Sequence, residues 1–404
     1  MEEEINQKGL SVFFENYIKK DSLFSNKKIL QSTFIPELIP HREQQIRQIA
    51  QVLAPSLRSE KPSNLFIYGK SGAGKTLSVK HVTQEMLKVA AANNVPLTIL
   101  YINCKLKKTA DTEYRLIAQL ARDINKQIPS TGLPTEEVYK IFFSAVDMKK
   151  QLIILVLDEI DQLVKKAGDE ALYNLTRINE ELKNSQISII GISNDLVFVD
   201  NLDPRVKSSL SEEEVFFPPY NAVQLQEILA QRSKGAFVDG VIEPGVIEKC
   251  AAYAAREHGD ARRALELMRV AGEVAERNNS EKVTINHIDE AEDKIERDRI
   301  LDIITTQPRQ FQLALYAILS VNPKGAIFTG EIYEVYRKLC EKTNTRPLTQ
   351  RRISDIIGEM DMLGIINAKV ISKGRYGRTR EISLSTASSI NPQLKKILEA
   401  ALDI

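Results

Sequence analysis

Eight consecutive residues, Gly69-Lys70-Ser71-Gly72-Ala73-Gly74-Lys75-Thr76, carry the densest chemistry in the chain and satisfy G-x-x-x-x-G-K-[ST] in full. Glycines at this spacing let the backbone curl so that several N–H groups point at one anion, and a following helix adds its N-terminal dipole. In such a loop Lys75 reaches the β- and γ-phosphates and the Thr76 hydroxyl ligates Mg2+. A second group, Asp158-Glu159-Ile160-Asp161, ends the apolar run LIILVL. Carboxylates leaving the C-terminal end of a buried strand stand where open α/β sheets bind ligands. Asp158 is expected in the Mg2+ shell and Glu159 as the group that orients and deprotonates a water, while Asp161 reads as an ordinary acid opening the next helix. Asn194 follows the run ISIIGI, where a side-chain amide can reach the γ-phosphate or that water. The set describes a nucleoside triphosphate site.

Such residues need a sheet to bring them together. Five short apolar runs, LFIY (65–68), LTILYI (97–102), LIILVL (152–157), ISIIGI (187–192) and EVFF (214–217), alternate with helical stretches. Continuous apolar runs separated by helices indicate strands buried on both faces, hence a parallel sheet flanked by helices. Ahead of it lies an arm and first helix up to about Ile46, broken at Pro36 and Pro40; Pro218-Pro219 closes the sheet domain. Residues 221–298 hold helices and no convincing strand, ending in the charged segment EAEDKIERDR, which reads as a solvated connector. The last block reads as three helices, 311–320, 329–342 and 349–364, then two strands, 365–371 and 378–384, around the turn SKGRYG. Three helices and a hairpin describe a winged helix, a variant of helix-turn-helix. The expected divisions are an arm at 1–25, a nucleotide-binding domain at 26–219, a helical domain at 220–298 and the winged helix at 299–404.

Composition narrows the class. At 404 residues, 43% hydrophobic and 27% charged, the chain has the make-up of a soluble globular protein. No unbroken apolar run comes near the ~20 residues of a membrane span. MEEEINQKGL lacks the basic and apolar regions of a secretory signal. Cys104, Cys250 and Cys340 are odd in number, far apart and in no CxxC pair, which fits a reducing cytoplasm and excludes a disulfide framework. Lys+Arg 55 against Asp+Glu 54 leaves a net charge of +1, so any nucleic-acid surface must be a local cluster. One exists. Between Arg346 and Arg380 eight basic residues face three acids, gathered at the start of the third helix and at the hairpin tip. Thr349, Gln350, Arg351 and Arg352 are therefore expected against base edges and phosphates in the major groove, and Ser372, Lys373, Arg375, Tyr376 and Arg378 along the minor groove.

Taken together, GKSGAGKT, LDEID, a strand ending in Ser193-Asn194 and the helical domain after the sheet resemble the AAA+ ATPases. Within them ELIPHREQQI (37–46), VLDEIDQL (156–163), NLDPRVKSSL (201–210), GDARRAL (259–265) and the winged helix resemble the archaeal replication initiators, relatives of the eukaryotic origin recognition complex and its loading partner. The resemblance implies that Asp158 and Glu159 are the Walker B pair, Asn194 is sensor 1 and Arg262 is the sensor 2 arginine reaching the γ-phosphate from the lid. Arg262 and Arg263 diverge by ~100° on a helix, so one of them can point at the nucleotide. It also implies that Arg205 is a finger presented to a neighbouring subunit, against its plainer reading as a solvated first-turn arginine. Ile39, Pro40 and Arg42 would form the adenine-side wall, with Leu77 and Tyr220 completing the nucleotide contacts. Lys105, Lys107, Lys108 and Arg115 fall where such initiators carry a DNA-touching insertion. The implied function is an ATP- and Mg2+-dependent, slowly hydrolysing initiator, cytoplasmic and nucleoid-associated, that binds and remodels duplex origin DNA beside paralogous subunits and helps recruit the replicative helicase. A DNA-binding regulator holding ATP structurally, or a loader whose winged helix grips proteins, would use the same residues.

Overall fold

The computed structural model describes residues 21–105, 112–129, 132–321, 327–372, 378–384, 391–402 and 404, with 14, 15 and 18 of the arm. It forms two compact units, Met1–Ile288 and Asp289–Ile404.

In the first unit, helix α1 (Glu43–Leu53) leads into strand β1 (Leu65–Gly69) and helix α2 (Lys75–Ala92). Then come β2 (Leu97–Asn103), α3 (Glu113–Asp123), α4 (Thr135–Val146) and β3 (Leu152–Asp158). After α5 (Ile160–Ala167), α6 (Glu170–Thr176), β4 (Gln186–Ser193) and α7 (Pro204–Leu210), β5 (Glu213–Phe217) completes the sheet. All four strand pairings are parallel, in the order β2-β3-β4-β1-β5. In β3 the residues Ile153, Leu155 and Leu157 enter one apolar core, with Leu116, Val138, Phe142 and Leu163. Their neighbours Leu152, Ile154 and Val156 enter the opposite core with Ile49, Leu53, Val79 and Val82. Period-two alternation with both faces buried is why the strand reads as unbroken apolar sequence. The first helix stands after Pro40, not across Pro36 and Pro40; residues 32–42 are irregular, because each proline removes an N–H donor and biases the residue before it towards extended backbone.

The helical part that follows comprises α8 (Ala222–Ala236), α9 (Val246–Arg256) and α10 (Ala261–Arg277). Asn221 and Gln224 form a reciprocal capping box at the start of α8. Residues 22–30 are fastened to these helices: Phe24 stacks on Phe237 at 4.6 Å, Lys27 pairs with Glu273 at 2.6 Å and the Ser22 hydroxyl donates to Glu276 at 2.7 Å. The segment read as a connector belongs to a 22-residue helix, α11 (Ile285–Thr306).

The second unit holds α12 (Arg309–Ser320), β6 (Ile327–Phe328), α13 (Thr329–Lys342), α14 (Gln350–Met362), β7 (Ile366–Ser372), β8 (Arg378–Leu384) and α15 (Asn391–Leu402). Its antiparallel sheet runs β6-β8-β7. Two elements go beyond the sequence reading. Strand β6 is two residues long, too short for any periodicity, and α15 buries Leu394, Leu398 and Leu402 at i, i+4 spacing.

Candidate nucleotide site and nucleic-acid interface

The sheet topology delivers the C-terminal ends of four strands to one edge: Gly69, Asn103, Asp158 and Ser193. Above that edge a cavity of about 330 Å3 is lined by Gly72, Gly74, Thr76, Leu77, Asp158 and Glu159 from the core, and by Ile228, Gln231, Ala261, Arg262 and Leu265 from the helical part. The segment Gln31–Pro36 with Ile39 and Pro40 closes another side, and Tyr220 joins it.

Lys75 is almost fully buried. Its ammonium donates to the carbonyls of Gly69 (2.7 Å) and Lys70 (2.8 Å) and to Asn194 Oδ1 (2.8 Å). Burial, and then the positive charge of Arg262, push the Lys75 pKa down to about 8. The Thr76 hydroxyl donates to Asp158 Oδ2 at 2.9 Å. Asp158 Oδ1 accepts the Glu159 N–H at 3.0 Å, and Glu159 stands in the left-handed region at φ 55°. A hydroxyl and a carboxylate in contact beside a phosphate loop are hard oxygen donors, a set that suits Mg2+ completed by phosphate oxygens and water. Lys70 and Ser71 are exposed at the loop's outer turn and Ala73 is buried.

Arg262 lines the cavity, whereas Arg263 turns away into an ion pair with Glu257 at 3.0 Å. The helical part docks directly on the phosphate loop. Asp260 caps α10 through the N–H groups of Arg262 and Arg263, and the Ala261 N–H donates to the Gly72 carbonyl at 3.3 Å. A Cβ on Gly72, whose φ is +69°, would stand 1.8 Å from Asp260 Oδ1.

Two sequence assignments are corrected. Arg42 does not line the cavity; it lies behind the loop, donating to the carbonyls of Ala73 (2.8 Å), His41 (3.0 Å) and Pro218 (2.6 Å), with its guanidinium 3.8 Å from the Tyr220 ring centroid. A guanidinium with several donors can satisfy three carbonyls at once, the buried one of Ala73 among them. Asp161 is no surface acid: the left-handed turn at Glu159 starts α5 so that Asp161 is buried against β4, where it accepts from the Ser193 hydroxyl at 3.2 Å. Arg205, expected either at a neighbouring subunit's nucleotide or in solvent, lies outside this chain's own cavity lining, 70% exposed, paired at 2.9 Å with its own capping Asp203 and over the Tyr173 ring.

Lys80, Tyr101 and Asn103 also line the cavity, and no motif in the sequence marks them. Asn103 pairs in register with Asp158 across β2 and β3, a neighbourhood visible only once the strand order is known. The Tyr101 hydroxyl donates to Asp158 Oδ2 at 2.5 Å, and burial first, then that carboxylate, keeps the phenol well above its usual range. Arg232 and Phe34 also line the cavity, stacked at 4.8 Å.

On the second unit, the Thr349 hydroxyl caps α14 by accepting the Arg352 N–H at 3.4 Å. Gln350 and Arg351 share a shallow cleft with Ser354, Val370, Thr379 and Arg380. Arg352 lies 3.8 Å from both Asp355 and Glu359. Arg380 turns inward and donates to the Ser354 carbonyl at 2.6 Å, tying hairpin to helix. Lys373, Arg375 and Tyr376 lie outside the described residues, as do the side chains of Ser372 and Arg378. Lys107 and Lys108 lie outside them too; Lys105 is exposed with its ammonium 3.8 Å from Glu159, and Arg115 is in the first turn of α3.

A parallel sheet with this phosphate loop, a helical part docked on it and a winged helix define the architecture of an AAA+ protein with a carboxy-terminal winged helix. Family models agree segment by segment: an AAA domain matches residues 58–197, the Cdc6 AAA+ ATPase-type lid domain 226–293 and the CDC6 C-terminal winged helix domain 302–390. The chain is 54% identical over 385 residues to an ORC1-type DNA replication protein of Pyrococcus abyssi, covering 94% of this chain and 91% of the relative. It is 50% identical over 387 residues to one of Archaeoglobus fulgidus, covering 96% and 93%. The solved structure of the Aeropyrum pernix ORC1 protein in complex with DNA superposes with a TM-score of 0.82 at 43% identity, covering 94% of this chain and 98% of that one. The chain belongs to the ORC1-type DNA replication protein family. Among the described residues no helix is long and apolar enough to cross a membrane.

Proposed function

We propose that this chain is an ATP-dependent initiator that binds duplex origin DNA, distorts it and helps to bring in the replicative helicase, together with paralogous subunits. The observation that carries the ATP part is the meeting of the phosphate loop, Asp158, Glu159 and the lid residue Arg262 around one cavity. In this reading the Lys75 ammonium exchanges its carbonyl partners for the β- and γ-phosphates. Thr76 and Asp158 hold Mg2+, which supplies charge neutralisation at the phosphates. Glu159 takes the proton of the attacking water, and Asn194 orients that water or the γ-phosphate. Arg262 senses the γ-phosphate, since a guanidinium fork matches phosphate oxygens. Ile39, Pro40, Leu77 and Tyr220 wall the base and sugar. Lid position then follows nucleotide state, so ATP acts as a switch and turnover is slow. Arg205 is a finger for a neighbouring copy's nucleotide, released from Asp203 on assembly.

DNA binding is supported by the relationship to the Aeropyrum protein and by the basic start of α14. Thr349, Gln350, Arg351 and Arg352 meet the major groove, Ser372, Lys373, Arg375, Tyr376 and Arg378 follow the minor groove, and Lys105, Lys107, Lys108 and Arg115 add contacts from the AAA+ domain. Sequencing the host genomic fragments that the purified protein retains with ATP at physiological salt tests the whole reading. Enrichment of a few loci with shared repeats at the replication start is expected; even retention across the genome would sink the origin-specific part.

A further inference from the structure

We propose that Tyr101 is a positioning residue that sets the aim of the Asp158 carboxylate, and with it the affinity of the site for Mg2+. The inference rests on the Mg2+–nucleotide reading above. Tyr101 lies on β2, two residues before Asn103, which pairs in register with Asp158 on β3. Its hydroxyl and that of Thr76 both donate to Asp158 Oδ2, at 2.5 and 2.9 Å, while Oδ1 accepts the Glu159 N–H at 3.0 Å. Of these three donors, Thr76 is itself a metal ligand in the proposed site and the Glu159 N–H belongs to the same strand end. Tyr101 alone grips the carboxylate from a different strand. The ring is itself held, with the Lys80 ammonium of α2 lying 4.6 Å from its centroid. The last torsion of an aspartate is soft, so a carboxylate deprived of this donor samples a range of orientations. Outer partners of metal-binding carboxylates commonly tune metal affinity by about 10- to 100-fold.

The test compares Tyr101→Phe with the native full-length chain, titrating ADP by calorimetry in EDTA and at stepped Mg2+ concentrations. In EDTA the variant's change in ADP affinity is expected to be much smaller than its change in Mg2+, and a melting curve verifies its folding. The Mg2+ concentration giving half its effect on ADP affinity is expected to rise about tenfold. Equal Mg2+ midpoints in the two proteins would overturn the inference. So would a loss of ADP affinity in EDTA as large as that in Mg2+, because Tyr101 would then act on the nucleotide pocket and not on the carboxylate. If Mg2+ leaves ADP binding to the native chain unchanged, the metal reading falls first and the Tyr101 inference falls with it.

Discussion

The Lys75 ammonium donates to Asn194 Oδ1 at 2.8 Å, which joins the phosphate-loop lysine to the residue after β4. Burial and Arg262 hold this lysine at a pKa of about 8, well below its usual value. Phosphate oxygens brought against it favour the charged form and raise that pKa. Nucleotide binding near pH 8.5 is therefore expected to take up a fraction of a proton, and at pH 6.5, where Lys75 is already charged, the uptake through it vanishes. Calorimetry in two buffers of different ionisation enthalpy measures it. Proton release at pH 8.5 would contradict the assignment.

Glu159→Gln keeps the shape of the side chain and removes its basicity. ATP binding should stay within a fewfold of native while hydrolysis falls by about 10²-fold or more, the usual contribution of a general base. Filter binding and phosphate release on the same preparation separate the two.

Gly72 is where core and lid touch, and a methyl group there meets Asp260 at 1.8 Å with the backbone at a positive φ. Gly72→Ala should destabilise the first unit by roughly 1–3 kcal/mol and push the lid off the loop. Thermal melting, together with a weakened nucleotide affinity, reads this out.

Arg42→Met removes donors from the buried carbonyl of Ala73 and the half-buried one of Pro218 while keeping most of the side-chain volume. A buried acceptor left without a donor costs about 1–3 kcal/mol and a half-buried one less, so denaturant titration should show a loss of roughly 1–4 kcal/mol. Full stability in this variant would mean that Arg42 is not the tie it looks like.

Arg351 and Arg380 should behave differently although both are basic residues of the winged helix. Arg351→Ala is expected to lower the slope of log K against log salt for duplex binding by about one. Arg380 spends a donor on the Ser354 carbonyl, so Arg380→Ala should act chiefly on the stability of the hairpin–helix contact. Salt titrations of binding and melting curves on the two variants distinguish these outcomes.

Much of the molecule was legible before folding because its signals are local. A strand buried on both faces must be apolar throughout, as Leu152–Leu157 is, and a phosphate loop must carry its glycines and Lys75 consecutively. The pairing of Asp158 with the loop was legible for a different reason: acids at a strand's C-terminal end face the ligand edge in any parallel sheet of this kind. What remained hidden is long-range. Tyr101 in LTILYI is one more large residue in a strand until β2 is known to lie beside β3. Arg42 and Arg262 are both arginines next to recognisable motifs, yet one is buried against three carbonyls behind the loop and the other faces the cavity. Asp161 follows the two acids at the end of β3, and only the left-handed turn at Glu159 buries it against Ser193. Side-chain direction depends on which elements pack together, and that packing is cooperative over the whole unit. Residue type and spacing define the motifs, most of the strands and helices and the family, whereas the folded packing settles which charged groups meet, because contacts between residues far apart in the chain carry no signal in local residue type or spacing.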